Sequence, residues 1–152
     1  SVYKAMSPDN KTIIALKLAP HTTSQDLREY KNLEKIKHRN VVRYIGHGVV
    51  EANGGKELAI GMVLVKGSSY DKYLEEHGPL KWDQASKDFS QLIDGMAAVH
   101  AKGIMHRDLK PANLMRKTDG CIVIVDFGLS KVQTSEGSAA TVTCAGTFKG
   151  TY

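Results

Sequence analysis

Two clusters of acidic and amide side chains, separated by a hairpin signal, restrict this chain more than any other feature. His106-Arg107-Asp108-Leu109-Lys110-Pro111-Ala112-Asn113 runs into the apolar pair Leu114-Met115, and the apolar run Cys121-Ile122-Val123-Ile124-Val125 leads into Asp126-Phe127-Gly128. Between the apolar runs stands Asp119-Gly120, a dipeptide that tolerates the positive φ angles of a tight hairpin. A hairpin at that point sets Asn113 and Asp126 at strand ends. Chance composition does not supply such a constellation.

The residue types fit one chemistry. A phosphoryl group in transfer spreads charge over its oxygens while the attacking hydroxyl must be held in line, so catalysis reduces to positioning and charge neutralisation. Asp108 is suited to accept the hydroxyl proton, and Lys110 to stabilise the moving phosphoryl group. Asn113 and Asp126 offer the hard oxygens that Mg²⁺ prefers, and Mg²⁺ completes its shell with phosphate oxygens and water. Two protein oxygens are then enough.

These residues resemble the catalytic-loop and metal-binding signatures of eukaryotic-type protein kinases. Lys110-Pro111-Ala112-Asn113 is similar to the serine/threonine-directed version, because tyrosine-directed relatives usually replace the Lys-Pro pair with Ala and Arg. The resemblance implies an α+β, two-lobed kinase-like fold: a small antiparallel β lobe with one helix over residues 1–65, and the start of a mainly helical large lobe over 66–152. It also implies ATP and Mg²⁺ as ligands, protein substrates with Ser or Thr hydroxyls, and an upstream activating kinase.

The earlier part of the chain supplies what such a site demands. Thr12 to Lys17 is an apolar run rich in strand formers, and period-two alternation puts Ile13, Ala15 and Lys17 on one face. Pro20 ends the run, and Thr22-Thr23-Ser24 with Gln25 and Asp26 offers a capping box for a following helix. Leu27, Tyr30, Leu33 and Ile36 recur at near-helical spacing, with Glu29 and Leu33 four apart on one face. By resemblance, Lys17 reaches the phosphates and pairs with Glu29, while Leu33, Tyr44, His106 and Phe127 form a buried spine. Alone, Lys17 and Glu29 would be read as surface charges; the surrounding pattern reverses that.

The apolar strand Leu58 to Val65 runs into Lys66-Gly67-Ser68-Ser69, where kinases join their lobes. The resemblance makes Met62 the gatekeeper, assigns adenine contacts to Val2, Ala15, Leu114 and the backbones of Val63 and Val65, and adds Ser69 to the nucleotide-binding set. The usual hinge Glu is replaced by Val63. Trp82, Ala85, Phe89, Leu92, Met96 and Val99 mark an amphipathic helix of about five turns, with Lys102 near its end and Gly103 to stop it.

From Ser130 to Thr151 the chain is polar and rich in Ser, Thr and Gly, which alone would read as a linker. After Asp126-Phe127-Gly128 it reads as an activation loop whose phosphorylation pairs with Arg107. Thr134, Ser135, Ser138, Thr141 and Thr143 are the candidate sites. Gly146-Thr147 and Gly150-Thr151 both resemble the Gly-Thr of the substrate-docking threonine. No glycine-rich loop precedes Ser1 and no Ala-Pro-Glu precedes Tyr152, so the resemblance predicts roughly half a kinase domain.

Composition narrows the alternatives. The net charge of +5 comes from scattered Lys and Arg, with no nucleic-acid-binding module, so it reads as solvated surface plus an anion-binding cleft. Two cysteines, Cys121 and Cys144, lack disulfide or metal spacing and suit a reducing, cytoplasmic or nuclear setting. No stretch reaches the roughly 18 apolar residues of a membrane span. Gly46-His47-Gly48 is an incomplete dinucleotide-loop spacing, and Gly54-Gly55 reads as a hairpin turn. Two further functions remain beside a protein kinase: a truncated or pseudokinase-like binding module without transfer, and a small-molecule kinase. The last is disfavoured by Arg107, Lys110-Pro111 and Phe127-Gly128 occurring together.

Overall fold

A computed structural model describes residues 2–7, 11–20, 33–52, 55–127 and 131–132, with the backbone alone described at Pro20 and at 131–132. The predicted strand at Lys17 forms, extended to Ile13–Pro20 (β2), and it is flanked by β1 (Val2–Met6), β3 (Tyr44–Ala52) and β4 (Gly55–Val63). They build an antiparallel sheet in the order β1-β2-β4-β3. Registry sets the useful side chains together: Ala15 lies opposite Met62, and Met62 lies opposite Tyr44 on its other side. Ala52 pairs with Gly55, so Gly55, expected in a hairpin turn, is the first residue of β4, and Gly54 lies outside the described residues.

The chain then crosses to the larger half through residues 64–66 and enters β5 (Gly67–Ser69), which pairs with β7 (Leu114–Lys117). Only glycine fits at 67: a Cβ there would lie 2.2 Å from the Arg116 carbonyl oxygen. Helices α1 (Tyr70–His77) and α2 (Trp82–His100) follow, then β6 (Ile104–Met105), a 3-10 turn (Pro111–Asn113), β7 and β8 (Ile122–Ile124). Strand β9 (Lys131–Val132) returns to pair with β6. The Asp119-Gly120 hairpin forms with Gly120 at φ 81°, and Asp119 Oδ1 accepts the Cys121 N–H at 2.9 Å. This β sheet of one half and helices of the other is the two-lobed α+β plan expected, and among the described residues no helix is long and apolar enough to cross a membrane.

The register of α2 corrects one expectation. Trp82 and Phe89 were placed on its apolar face, yet they are 81% and 62% exposed, whereas Asp88, Gly95 and Val99 are buried. The helix lies against β8 through its smallest residue. A Cβ on Gly95 would meet Ile124 Cδ1 at 2.8 Å and the Asn40 carbonyl oxygen at 2.9 Å. Asp88 is tolerated inside because Tyr70 Oη donates to it at 2.9 Å and Gln84 Nε2 at 2.7 Å, with the Arg116 guanidinium alongside. Burial, reinforced by that carboxylate, holds the Tyr70 phenol protonated well above its usual range.

One core joins both halves, running from Leu33, Ile36 and Ile60 through Val41 to Val99, Ile122 and Ile124. Inside it the expected spine is buried as a unit: the Tyr44 and Phe127 rings meet edge to face at 6.2 Å, and His106 packs against Phe127 at 4.6 Å. His106 accepts the Asp108 N–H at Nδ1 and donates from Nε2 to the Val125 carbonyl at 3.2 Å, which is the pattern of a neutral imidazole. Burial lowers its pKa below the usual value, the nearby carboxylates opposing this only in part.

Two outcomes follow from this packing. Gly95→Ala lowers unfolding free energy by about 1–3 kcal/mol, because the Asn40 backbone must move to admit the methyl group; urea unfolding of the intact protein measures it. For His106 the native state binds a proton more weakly than the unfolded chain, which titrates near ~6.5. Its contribution is therefore present above that value and is lost as pH falls below it. The stability gap between the parent protein and His106→Leu narrows between about pH 7.5 and about pH 5.5, as equilibrium unfolding across that range will show.

Candidate active site

The site forms where two segments, the first ending in the 3-10 turn, are laced together by the backbone. The His106–Asn113 loop and the end of β8 meet at Val125, whose N–H donates to the Asn113 carbonyl at 2.9 Å and whose carbonyl accepts from His106. Asn113 closes the loop from the other side, donating Nδ2 to the Asp108 carbonyl at 2.7 Å and to Asp108 Oδ2 at 3.1 Å. The amide's remaining polar atom, Oδ1, is thus oriented by the bonds its nitrogen makes. Lys110 Nζ approaches the same Asp108 Oδ2 at 2.9 Å.

Backbone strain marks the two turning points of this assembly. Arg107 and Asp126 are the described non-glycine residues with positive φ, at 67° and 57°. Each holds a left-handed conformation that costs on the order of 1–2 kcal/mol for an L-residue. Such residues persist only where surrounding contacts over-determine them, and they concentrate at functional sites. Here the bonds to Val125 and Asn113 on one side of Asp126, and the buried Phe127 on the other, supply the constraint.

Across from this loop, the small sheet presents Lys17, whose Nζ forms an ion pair with Asp126 Oδ1. The expected partner of Lys17, Glu29, lies outside the described residues, as do Gly128, Thr143, Thr147, Thr151 and the other candidate modification sites. Arg107 is exposed beside the loop.

Between the sheet and the loop opens a cavity of about 280 Å³. Val2 and Ala15 form its roof and Met62 its back, while Val63 and Val65 edge it along the crossing segment. At its polar end Lys17, Asn113 and Asp126 line the same space. Val63 donates its N–H to the Arg43 carbonyl at 2.9 Å, so this N–H is already engaged within the protein.

Two residues expected in this cavity are placed elsewhere. Leu114 is 7% exposed and faces a second, smaller cavity of about 130 Å³ against α1 and α2, while Met115 lines the main one. Successive side chains on a strand point to opposite faces, and β7 begins with Leu114 turned away from the cleft. Ser69 does not border the cavity; it stands at the N-cap of α1. Sequence reasoning also missed Val42, Leu64, Ala112 and Val125, which complete the walls. Alternation along β7 was the available signal for Met115; for the others there was none.

The donor set fits Mg²⁺ on the structure's own terms. Asp126 and Asn113 bring a carboxylate and an oriented amide oxygen to one end of the cavity, the hard oxygen donors that Mg²⁺ takes. Among the described residues no group of three or more His, Cys, Asp or Glu gathers elsewhere to compete for a metal.

Comparison with known proteins agrees with this geometry. Over 124 residues, 80% of this chain, the sequence is 40% identical to the serine/threonine-protein kinase PkaA of Streptomyces coelicolor, and it covers 22% of that protein. It is 38% identical over 136 residues to CBL-interacting protein kinase 8 of Oryza sativa, covering 90% of this chain and 29% of the relative. It is 34% identical over 162 residues to mitogen-activated protein kinase kinase kinase 3 of Arabidopsis thaliana, covering 99% and 24%. The chain thus spans about a quarter of the length of these relatives. Residues 1–151 match the protein kinase domain, and the chain belongs to the protein kinase family.

Proposed function

We propose that this chain carries the nucleotide-binding and catalytic centre of an ATP- and Mg²⁺-dependent protein kinase that phosphorylates serine and threonine hydroxyls of protein substrates. The observation that carries the reading is the convergence of Lys17, Asn113 and Asp126 at one end of a cavity whose other walls are apolar, with Asp108 tied to Asn113. Adenine fits the apolar end, between Ala15 above and Met115 below, with the backbones of Val63 and Val65 at its edge. Lys17 meets the phosphates. Asn113 Oδ1 and Asp126 would hold Mg²⁺, which would neutralise the phosphate charge there.

Asp108 orients the substrate hydroxyl and accepts its proton as the oxygen attacks the γ-phosphorus and ADP leaves. Lys110, whose Nζ lies 2.9 Å from Asp108 Oδ2, contacts the transferring group in this reading as charge builds on it. The Lys110-Pro111-Ala112-Asn113 sequence and the names of the relatives support serine/threonine specificity. An upstream kinase acting on the segment that contains Thr143, Thr147 and Thr151, with Arg107 as counter-charge, belongs to the same reading. So does an intracellular location.

The test is transfer of labelled γ-phosphate from ATP to a generic basic protein substrate by the intact protein, followed by phosphoamino-acid analysis. Label on serine or threonine that requires Mg²⁺ is expected. Asp126→Asn removes the metal-holding charge and Lys17→Met the phosphate contact, and each lowers kcat/KM by roughly 100-fold or more. Nucleotide binding with no transfer under activating conditions would leave a non-catalytic binding module instead.

A further inference from the structure

Strand β8 delivers Asp126 to the site, and one of its edges pairs with β7. The other edge would be open, yet every polar group along it is closed by residues from two distant parts of the chain. Ile124 donates its N–H to the Asn40 carbonyl at 2.8 Å and accepts from the Val42 N–H at 2.9 Å, forming a parallel bridge with the 38–43 segment. At Ile122 side chains take over. Asn40 Nδ2 donates to the Ile122 carbonyl at 2.7 Å, and the Ile122 N–H donates to Gln91 Oε1 at 3.1 Å.

Gln91 holds the junction. Its Oε1 also accepts from Asn40 Nδ2 at 3.1 Å, and its Nε2 donates to the Gly120 carbonyl at 3.2 Å. One side chain on α2 thereby grips the small-lobe segment, the first residue of β8 and the hairpin before it. Asn40 is 2% exposed and donates both amide hydrogens here, so losing Gln91 leaves one of them only the weak Cys121 Sγ acceptor at 3.7 Å.

We infer that Gln91 is a positioning residue that, through Asn40 and β8, sets Asp126 relative to Lys17 and so tunes metal-dependent nucleotide binding. The mechanical path is continuous. Lys17 stands on β2, which pairs with β4, which pairs with β3; β3 begins directly after the 38–43 segment, and that segment is bonded to β8 and Gln91. The Lys17–Asp126 ion pair closes the ring. Asp126 lies two residues beyond Ile124 in a strained conformation, so a shift of β8 along the small lobe moves its carboxylate against Lys17 and Asn113. The inference rests on the kinase reading of the site.

The test separates metal coupling from general damage. Adenosine, ATP without Mg²⁺ and ATP with Mg²⁺ are titrated calorimetrically against the intact protein and against Gln91→Met, which keeps the volume and loses both hydrogen-bonding atoms. The tightening of ATP by Mg²⁺ falls on the order of 10-fold in the variant, the low end of what outer-shell partners contribute, while adenosine affinity holds. Gln91→Glu keeps the acceptor for Ile122 and Asn40 and falls between. Unchanged coupling in Gln91→Met, or a parallel loss of adenosine affinity, overturns the assignment. If Gln91→Met does not fold, Gln91→Glu against the parent carries the same comparison: reduced coupling at unchanged adenosine affinity supports it, and unchanged coupling overturns it. Absence of Mg²⁺ coupling in the parent protein itself overturns the phosphotransfer reading, and this inference with it.

Discussion

The fold and the site both depend on the closed outer edge of β8. An unpaired strand edge buried under a helix would leave N–H and C=O groups without water or partner, each costing on the order of 1–3 kcal/mol. The chain avoids this by borrowing one segment from the small lobe and one glutamine from α2. The same bonds therefore satisfy the buried backbone and join the lobes. Gly95 makes the arrangement sterically possible, because any larger residue would push α2 away from Asn40 and Ile124.

The site's chemistry follows from that junction. Val125, directly after β8, is fixed by Asn113 on its N–H and by neutral His106 on its carbonyl, so the loop that carries Asp108 and the turn that carries Asp126 are set by one residue's two backbone groups. Strain at Arg107 and Asp126 can be held only because these neighbours are over-determined. Burial of His106 serves this purpose rather than acid–base chemistry: a protonated ring would lose its acceptor for the Asp108 N–H.

Much of this was legible in the sequence, for identifiable reasons. Asp108, Asn113 and Asp126 stand close together in the chain, bracketed by a hairpin whose Asp-Gly turn is a local signal, so short-range rules suffice to bring them near one another. Ala15 and Lys17 follow from period-two alternation in a strand. The misreadings arise where a face had to be chosen. Leu114 and Met115 are both apolar neighbours, and only the pairing of β7 with β8 decides which one meets the cleft. On α2, counting apolar residues selected Trp82 and Phe89, whereas the face that packs uses Gly95 for its smallness and Asp88 because Tyr70 and Gln84 satisfy it. The Asn40–Gln91 link had no sequence signal, since its partners are 51 positions apart and each looks like an ordinary polar surface residue.

The central claim is that β8 and the 38–43 segment open only when the whole molecule does. Native-state hydrogen exchange at the Val42, Ile122 and Ile124 amides tests it most directly. The account predicts that these three amides exchange with the same free energy, equal to that of global unfolding. Exchange of Val42 and Ile124 through an opening of much lower free energy, with the amides of α2 still protected, would contradict it and detach the lobe junction from the integrity of the site.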